Sequence, residues 1–236
     1  MKNNNFDYKI YNTDSLDFMR KMESNSISLI ITDPPYKTIT GGNRDGKNSK
    51  RPQGMLDGNR KLFKYQKLKI SDWMPELYRI LKEGSHCYVM TNALNMEEML
   101  SESRKAGFRL HNILVWEKNN CTPSQFYMKN CEYTLFLRKG KAKWINNIGE
   151  SKTVHKFNNI IGNKTHPCEK PISLLEFYIS NSIKDNEDVV FDPFMGTGSL
   201  GVACRNLKLN NFIGCEIDEE YFKVAKERIE SILNKN

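Results

Sequence analysis

Residues 189–201 read VVFDPFMGTGSLG, and this stretch decides the fold. A short apolar run leads into a glycine turn, and the residues after the turn have the character of a helix start. Gly196 and Gly198 allow the backbone to turn tightly and to approach a ligand closely, while Gly201 completes a G-x-G-x-x-G pattern that suits close packing of a helix on a sheet. The stretch predicts a strand–turn–helix unit of an α/β protein, in which a tight turn without a ligand is the alternative to a nucleoside site.

An acidic strand end follows the glycine turn at the spacing that a nucleoside site needs, about 20 positions. The next predicted strand ends at Glu216-Ile217-Asp218, where a carboxylate can accept hydrogen bonds from both ribose hydroxyls. The turn itself begins with Asp192-Pro193-Phe194, which brings a carboxylate and a ring beside the ligand. A carboxylate suits a cationic ligand, such as the ammonium of a methionyl group, better than a pyrophosphate. Because only one further strand and helix follow, a dinucleotide site is disfavoured.

Strands and helices alternate along the rest of the chain, which predicts a single α/β domain over residues 1–236 with a mostly parallel sheet. Strands are predicted at 8–12, 28–32, 86–91, 110–118, 131–138, 189–192 and 211–217. Helices are predicted at 15–22, 71–81, 96–106, 172–183, 199–207 and 219–233. Residues 37–66 lack periodicity and predict a long mobile loop, and residues 139–165 predict a second irregular stretch.

The net charge of +8 is concentrated in one Gly- and Asn-rich segment and favours a polyanionic partner. Residues 37–64 contain only two acidic side chains. A solvated insert or a dimer contact is the alternative interpretation of such a charge run. The basic residues of the segment, expected to contact nucleic-acid phosphates, are Lys37, Arg44, Lys47, Lys50, Arg51, Arg60, Lys61 and Lys64.

Several classes of protein are disfavoured by composition. No run approaches the roughly 18 consecutive apolar residues of a membrane span, and the first ten residues have no apolar secretory core. A cytoplasmic protein with no membrane partner is therefore expected. The six cysteines form no C-x-x-C pair and the four histidines lack ligand spacing, so no metal site is predicted.

A rigid turn, Asp33-Pro34-Pro35-Tyr36, ends the apolar run SLIIT of residues 28–32. The carboxyl end of a strand in an open α/β sheet is where ligands bind. Asp33 and the Pro34 carbonyl can each accept a hydrogen bond from one N–H of an amino group, and Tyr36 offers a face on which an extruded base can stack. The prolines stiffen the turn, so that the acceptors are preorganised.

Together these residues resemble the amino-methyltransferases of DNA, the N6-adenine and N4-cytosine enzymes, over nearly the whole chain. The match is to the permuted β class, in which the catalytic turn precedes the cofactor loop. The D-P-P-Y turn at 33–36 is similar to the catalytic motif, residues 191–199 to the cofactor motif, and Glu216 to the ribose acid. The resemblance implies a Rossmann-like sheet of seven strands, mostly parallel, with one antiparallel edge strand and a circularly permuted motif order.

Three further stretches carry the resemblance. Residues 12–15 (NTDS) are similar to the motif whose acid holds the cofactor adenine, and residues 132–140 (EYTLFLRKG) to the hairpin strand beside the target-base pocket. Residues 165–171 (THPCEKP) resemble the H-P-T-x-K-P stretch that lies against the methionyl end, with Cys168 in place of the usual Thr. Residues 139–165 are then a short target-recognition region.

The resemblance implies S-adenosylmethionine as cofactor and DNA as partner, with a homodimer and a cognate restriction endonuclease as further expected partners. The catalytic residues are expected to be Asp33, Pro34, Pro35 and Tyr36. The cofactor-binding residues are expected to be Asp14, Ser15, Asp33, His166, Lys170, Asp192, Phe194, Gly196, Thr197, Gly198, Ser199, Glu216 and Ile217.

The first position of the catalytic turn bears on the base that is modified. Asp33 favours N6 of adenine, because Ser-Pro-Pro-Tyr is more usual in the N4-cytosine relatives. A methyltransferase of RNA or protein amides is disfavoured, since those resemble Asn-Pro-Pro-Tyr enzymes with the cofactor motif first. A catalytically silent DNA-binding subunit is the remaining alternative, although such relatives usually lose the acidic turn or the glycine loop.

Overall fold

The computed structural model describes residues 7–35, 68–122, 126–160 and 169–231. Within them, β1 (Asp7–Asn12), α1 (Ser15–Lys21) and β2 (Ile27–Thr32) precede α2 (Ile70–Ile80), β3 (Leu81–Thr91), α3 (Met96–Ala106), β4 (Arg109–Thr122) and β5 (Lys129–Arg138). The chain continues with β6 (Val154–Lys156), α4 (Ile172–Ser182), β7 (Val189–Asp192), α5 (Ser199–Asn206), β8 (Asn211–Glu216) and α6 (Glu219–Ser231). The predicted α/β class is confirmed.

The described strands form one eight-stranded sheet in the order β1-β8-β7-β2-β3-β5-β4-β6. All neighbours pair in parallel except β5, which is antiparallel to both β3 and β4. The prediction of a mostly parallel sheet is therefore confirmed. The predictions of seven strands and of an antiparallel strand at the edge are wrong, because the sheet has eight described strands and the antiparallel strand β5 lies inside it. The second strand of the β4–β5 hairpin inserts beside β3, which leaves β4 and β6 outside it.

The extra strand, β6, lies inside the stretch 139–165 that was predicted to be irregular. It pairs only three residues with β4, from Val115–Val154 to Glu117–Lys156. Three residues are too few to produce an alternating pattern in the sequence. The predicted strand 86–91 also starts earlier, at Leu81, and the register with β2 shifts between Ile27–Leu81 and Leu29–His86.

Helices cover both faces of the sheet, as a parallel sheet requires. All six residues of β2 are buried, and they alternate between two cores. Leu29 and Ile31 face the core that α4, α5 and α6 contribute to, whereas Ile27 and Ile30 face the core under α1, α2 and α3. Burial on both faces fixes β2 at the centre of the sheet, so the residue after it is held at the carboxyl edge.

The described residues contain no helix that is long and apolar enough to span a bilayer.

Candidate functional site

Four neighbouring strands end in acidic side chains at the same edge of the sheet. Glu216 and Asp192 are the last residues of β8 and β7, Asp33 directly follows β2, and Asp14 follows β1 by two residues. These strands are adjacent in the order β1-β8-β7-β2, and all run in parallel. The structure thus brings together four predicted site residues that are as many as 202 positions apart in the chain.

The glycine turn joins β7 to α5 in the conformation that its sequence predicts. Gly196 and Gly198 have positive φ angles of 52° and 78°, which side chains rarely adopt. A Cβ on Gly196 would meet nothing within 4 Å, whereas one on Gly201 would approach Ile229 Cδ1 to 2.5 Å. Gly201 therefore allows the predicted close packing of α5, here against α6, and Gly196 leaves open space beside the turn.

Glu216 is tied to the glycine turn through the backbone. Its Oε2 accepts a hydrogen bond from the Gly196 N–H at 2.9 Å, and its Oε1 accepts one from the Asp218 N–H at 2.8 Å. Burial raises the pKa of Glu216, and these N–H donors oppose that shift. The carboxylate is thus fixed at the end of β8, beside the exposed side chain of Ile217.

Asp192 links the glycine turn to the strand that carries Asp33. Its Oδ1 accepts hydrogen bonds from the Thr32 hydroxyl at 2.9 Å and from the Phe194 N–H at 3.1 Å. Burial raises the pKa of Asp192 to about 7, because the two hydrogen bonds only partly offset desolvation, and the Asp33 and Glu216 carboxylates raise it further. A cationic ligand beside Asp192 would favour its charged form.

Asp33 forms an ion pair that was not predicted from the sequence. Its Oδ2 contacts the ammonium of Lys170, whose side chain is only 10% exposed. Lys170 also lies 3.4 Å from Glu132 Oε2, and Glu132 contacts Lys118 through its other oxygen. Lys170 was expected from the resemblance to bind the cofactor, and the structure brings it directly to the predicted catalytic acid.

Arg228 was missed by the sequence analysis. This residue of α6 donates hydrogen bonds to the Thr197 carbonyl and hydroxyl, both at 2.8 Å, and to the Ser199 hydroxyl at 3.5 Å. It also forms an ion pair with Glu169, the neighbour of Lys170. An arginine on an amphipathic helix looks like an ordinary surface residue, so no local signal identified it.

The remaining predicted cofactor residues have structural partners of their own. Asp14 caps α1 by accepting hydrogen bonds from the Leu16 and Asp17 N–H groups at 2.8 and 3.1 Å, and Ser15 is buried at the first position of that helix. Phe194 packs edge to face on Trp73, with ring centroids 5.7 Å apart. In the catalytic turn, Pro34 is buried and Pro35 exposed.

Some predictions fall outside the described residues. These are Tyr36, His166, Cys168, the stretch 161–165, and the whole of segment 37–66 with its basic side chains Lys37, Arg44, Lys47, Lys50, Arg51, Arg60, Lys61 and Lys64. Among the described residues of the 139–165 region, Trp144 is 79% exposed and His155 is buried against Phe177 and Tyr178. Within the described part of the chain, no group of three or more His, Cys, Asp or Glu side chains is arranged to hold a metal ion.

Residues 27–227 match the sequence model of the family N6_N4_Mtase, described as DNA methylase. The type II methyltransferase M.HpaI of Haemophilus parainfluenzae is 26% identical over 97% of this chain and 76% of its own length. M2.DpnII of Streptococcus pneumoniae, also a type II methyltransferase, is 27% identical over 94% of this chain and 89% of its own length.

Solved structures show the same similarity. The M1.HpyAVI–SAM complex has a TM-score of 0.69 and 26% identity, covering 94% of this chain and 100% of that one. PvuII DNA methyltransferase, described as cytosine-N4-specific, has a TM-score of 0.72 and covers 98% of this chain and 91% of its own. At 17% identity, this second similarity concerns the fold alone.

Proposed function

The chain belongs to the DNA methylase family N6_N4_Mtase, and from that premise we propose that it transfers a methyl group from S-adenosylmethionine to the N6 amino group of adenine in DNA. One observation carries the proposal. The Thr32 hydroxyl, one residue before Asp33, donates a 2.9 Å hydrogen bond to Asp192, the first acid of the glycine turn. The acceptor for a target amino group and the loop for the cofactor therefore belong to one rigid sheet edge.

The residues present fit S-adenosylmethionine as the cofactor. Glu216, fixed by the Gly196 N–H, is the acceptor for the ribose hydroxyls, and the open space beside Gly196 allows a close approach. Asp192 is a buried acid whose pKa is raised to about 7, so a cationic methionyl ammonium would stabilise its charged form. Asp14 follows β1 at the adjacent strand end, on the side expected for the adenine ring.

The reaction then depends on how the chain holds the target amino group. S-adenosylmethionine, when bound, supplies an already activated methyl group. The target base is extruded from the duplex and stacks on Tyr36. Asp33 and the Pro34 carbonyl would accept hydrogen bonds from the two N–H groups and so orient the nitrogen lone pair for an in-line attack on the methyl group. The bond between the methyl carbon and sulfur would break as the N–C bond forms, and S-adenosylhomocysteine would leave. The surplus proton leaves the product nitrogen to Asp33 or to water.

Adenine is favoured over cytosine by Asp33, the first residue of the catalytic turn. The basic segment 37–64 is proposed to contact DNA phosphates. A homodimer and a cognate restriction endonuclease remain predictions from the family resemblance.

The test is to treat genomic DNA with the purified protein and S-adenosylmethionine, digest it to nucleosides and quantify these by mass spectrometry. We expect new N6-methyladenine from the intact protein. Asp33→Ala should lower its yield by about 100-fold or more, because it removes an acceptor aimed at the reacting group. Asp17→Asn, which changes an exposed acid on α1, is the matched control and should retain full activity.

The possible products separate the alternatives. N4-methylcytosine would keep the mechanism and overturn the assignment to adenine. Tight binding of S-adenosylmethionine with neither product would contradict the proposal, and would favour an RNA substrate or a catalytically silent subunit.

A further inference from the structure

Four side chains of alternating charge form a row that starts at the catalytic turn. Asp33 contacts Lys170, the Lys170 ammonium lies 3.4 Å from Glu132 Oε2, and Glu132 Oε1 contacts Lys118. Lys170 is 10% exposed and Glu132 27% exposed, so water screens the row only weakly. The Lys170 ammonium therefore lies between two carboxylates, one on the catalytic turn and one on β5.

The two oxygens of Glu132 differ in what they bind. Oε1 accepts a hydrogen bond from Lys118, whereas Oε2 is buried and has no hydrogen-bond partner among the described residues. A buried carboxylate oxygen without a donor is unfavourable. The 3.4 Å separation from Lys170 exceeds the length of a charge-assisted hydrogen bond by only about 0.6 Å. A small rotation at the end of the Lys170 side chain would therefore supply the missing donor.

Glu132 is also charged at neutral pH and can receive an ammonium. Burial by itself would raise the pKa of Glu132, but the charges of Lys170 and Lys118 outweigh it and lower the pKa to about 2. The geometry and the charge thus agree that Oε2 is an available acceptor.

Methyl transfer requires that the Lys170 ammonium leave Asp33. During the transfer, Asp33 accepts a hydrogen bond from an N–H of the target amino group, and positive charge grows on that nitrogen as the new N–C bond forms. An ammonium held on the same carboxylate weakens it as an acceptor and repels the growing charge. A lysine that remained on Asp33 would slow the reaction, whereas a lysine that moves to Glu132 would not.

We propose that Lys170 is a positioning residue that pairs with Asp33 before the target amino group binds and moves to Glu132 when that group binds to Asp33. Glu132 keeps the ammonium paired within a site that is shielded from water, so releasing Asp33 leaves no unpaired buried charge. The inference rests on the proposed transfer to an amino group, and it holds for either base.

A pair of substitutions tests this role. Glu132→Gln removes the carboxylate to which the Lys170 ammonium would move, so Lys170 stays paired with Asp33. The single-turnover rate should then fall about tenfold or more, while the Kd for S-adenosylmethionine should change less than about twofold. Adding Lys170→Met removes the ammonium itself, so no second carboxylate is needed to pair with it. The double variant should therefore be about fivefold or more faster than Glu132→Gln alone, whichever base is methylated.

The control is Lys105→Met, which removes another lysine–carboxylate pair, the one with Glu102 on α3, and should leave the rate unchanged. If Glu132 only supports the fold, the double variant will be as slow as Glu132→Gln or slower, and the proposal is then wrong.

A second measurement does not depend on activity. In a crystal structure of Asp33→Ala, the Lys170 ammonium should lie within about 3 Å of Glu132 Oε2. An ammonium that stays at 3.4 Å or more from Oε2 would overturn the transfer between carboxylates. A wild-type protein that yields no methylated base would contradict the proposed function instead, and the crystal structure would still decide the role of Lys170.

Discussion

At the scale of single residues, Asp192 shows how burial and ligand charge act on one carboxyl group. Its pKa is raised to about 7, chiefly by burial, from an ordinary value of 3.8. The native state therefore keeps a proton between about pH 4 and pH 7 that the unfolded chain has released. Over that window the contribution of Asp192 to the free energy of unfolding falls as the pH rises. A cationic ligand that needs the charged form should bind better at the top of the same window.

We predict that the affinity for S-adenosylmethionine rises more than about tenfold between pH 5.5 and 7.5, because the charged fraction of Asp192 increases through its pKa. An α-amino group has an ordinary pKa of about 7.7 to 8.0, so the ligand's own ammonium is still more than half protonated at pH 7.5 and its titration reduces the gain by less than about twofold. Isothermal titration calorimetry at several pH values measures the change. Asp192→Asn should bind weakly and with little pH dependence. An equal pH dependence in that variant would assign the effect to another group.

The sequence identified Asp192, Glu216 and Asp33 but not the side chains that bind them. Acids at strand ends can be predicted because parallel strands share a carboxyl edge. The contact of Lys170 with Asp33 joins residues 137 positions apart, and that of Lys118 with Glu132 crosses a hairpin whose register shifts. Such pairs depend on tertiary packing, for which residue type and spacing give no signal.

At the scale of elements, α6 covers the sheet and also binds two segments of the candidate site. Through Arg228 it holds Thr197 and Ser199 of the glycine loop and, through Glu169, the segment that carries Lys170. Glu169 and Lys170 are adjacent, so this short segment connects the glycine loop to the predicted catalytic turn. The C-terminal helix was predicted from its apolar face, and its polar face supplies this link.

Replacing Arg228 by Met should raise the Kd for S-adenosylmethionine about tenfold, since three hydrogen bonds to the glycine loop and an ion pair with Glu169 are lost. Arg205→Met is the matched control, because Arg205 donates a 3.0 Å hydrogen bond to the Ile229 carbonyl of the same helix. Both variants should lower the thermal unfolding midpoint by a few degrees, about 2–4 °C per kcal/mol lost. Calorimetric affinities that fall equally in the two variants would mean that α6 acts only through stability.

At the scale of the whole molecule, the order of motifs was predictable and the order of strands was only partly so. Strand β2, which precedes the predicted catalytic turn, and strand β7, which precedes the glycine turn, are neighbours, although about 160 residues separate them, as the permuted motif order requires. The inner position of β5 and the addition of β6 were not foreseen. A hairpin can dock on a sheet by either strand, and the choice depends on packing against both cores.

Charge is the property of the whole chain with the most direct consequence for DNA. Residues 37–64 contain eight basic and two acidic side chains, a surplus of six within a net charge of +8. If this segment neutralises phosphates, each contact releases counterions and adds about 0.9 to the slope of log affinity against log salt concentration. Replacing Lys47, Lys50, Arg51 and Arg60 by Gln should therefore reduce that slope by about 3 to 4 units. The loss of affinity should be similar for DNA of any sequence, because phosphates carry no sequence information.

Fluorescence anisotropy with a labelled duplex at five or six salt concentrations gives the slope directly. The control replaces four exposed lysines on β1, α3 and α6 by Gln, namely Lys9, Lys105, Lys223 and Lys226. This change removes the same amount of charge from the protein. If general attraction by a basic protein explained binding, both quadruple variants would lose affinity equally, since they have the same net charge. A slope that falls only in the first variant would assign the phosphate contacts to residues 37–64, and an unchanged slope there would leave the segment as a solvated insert or a dimer contact.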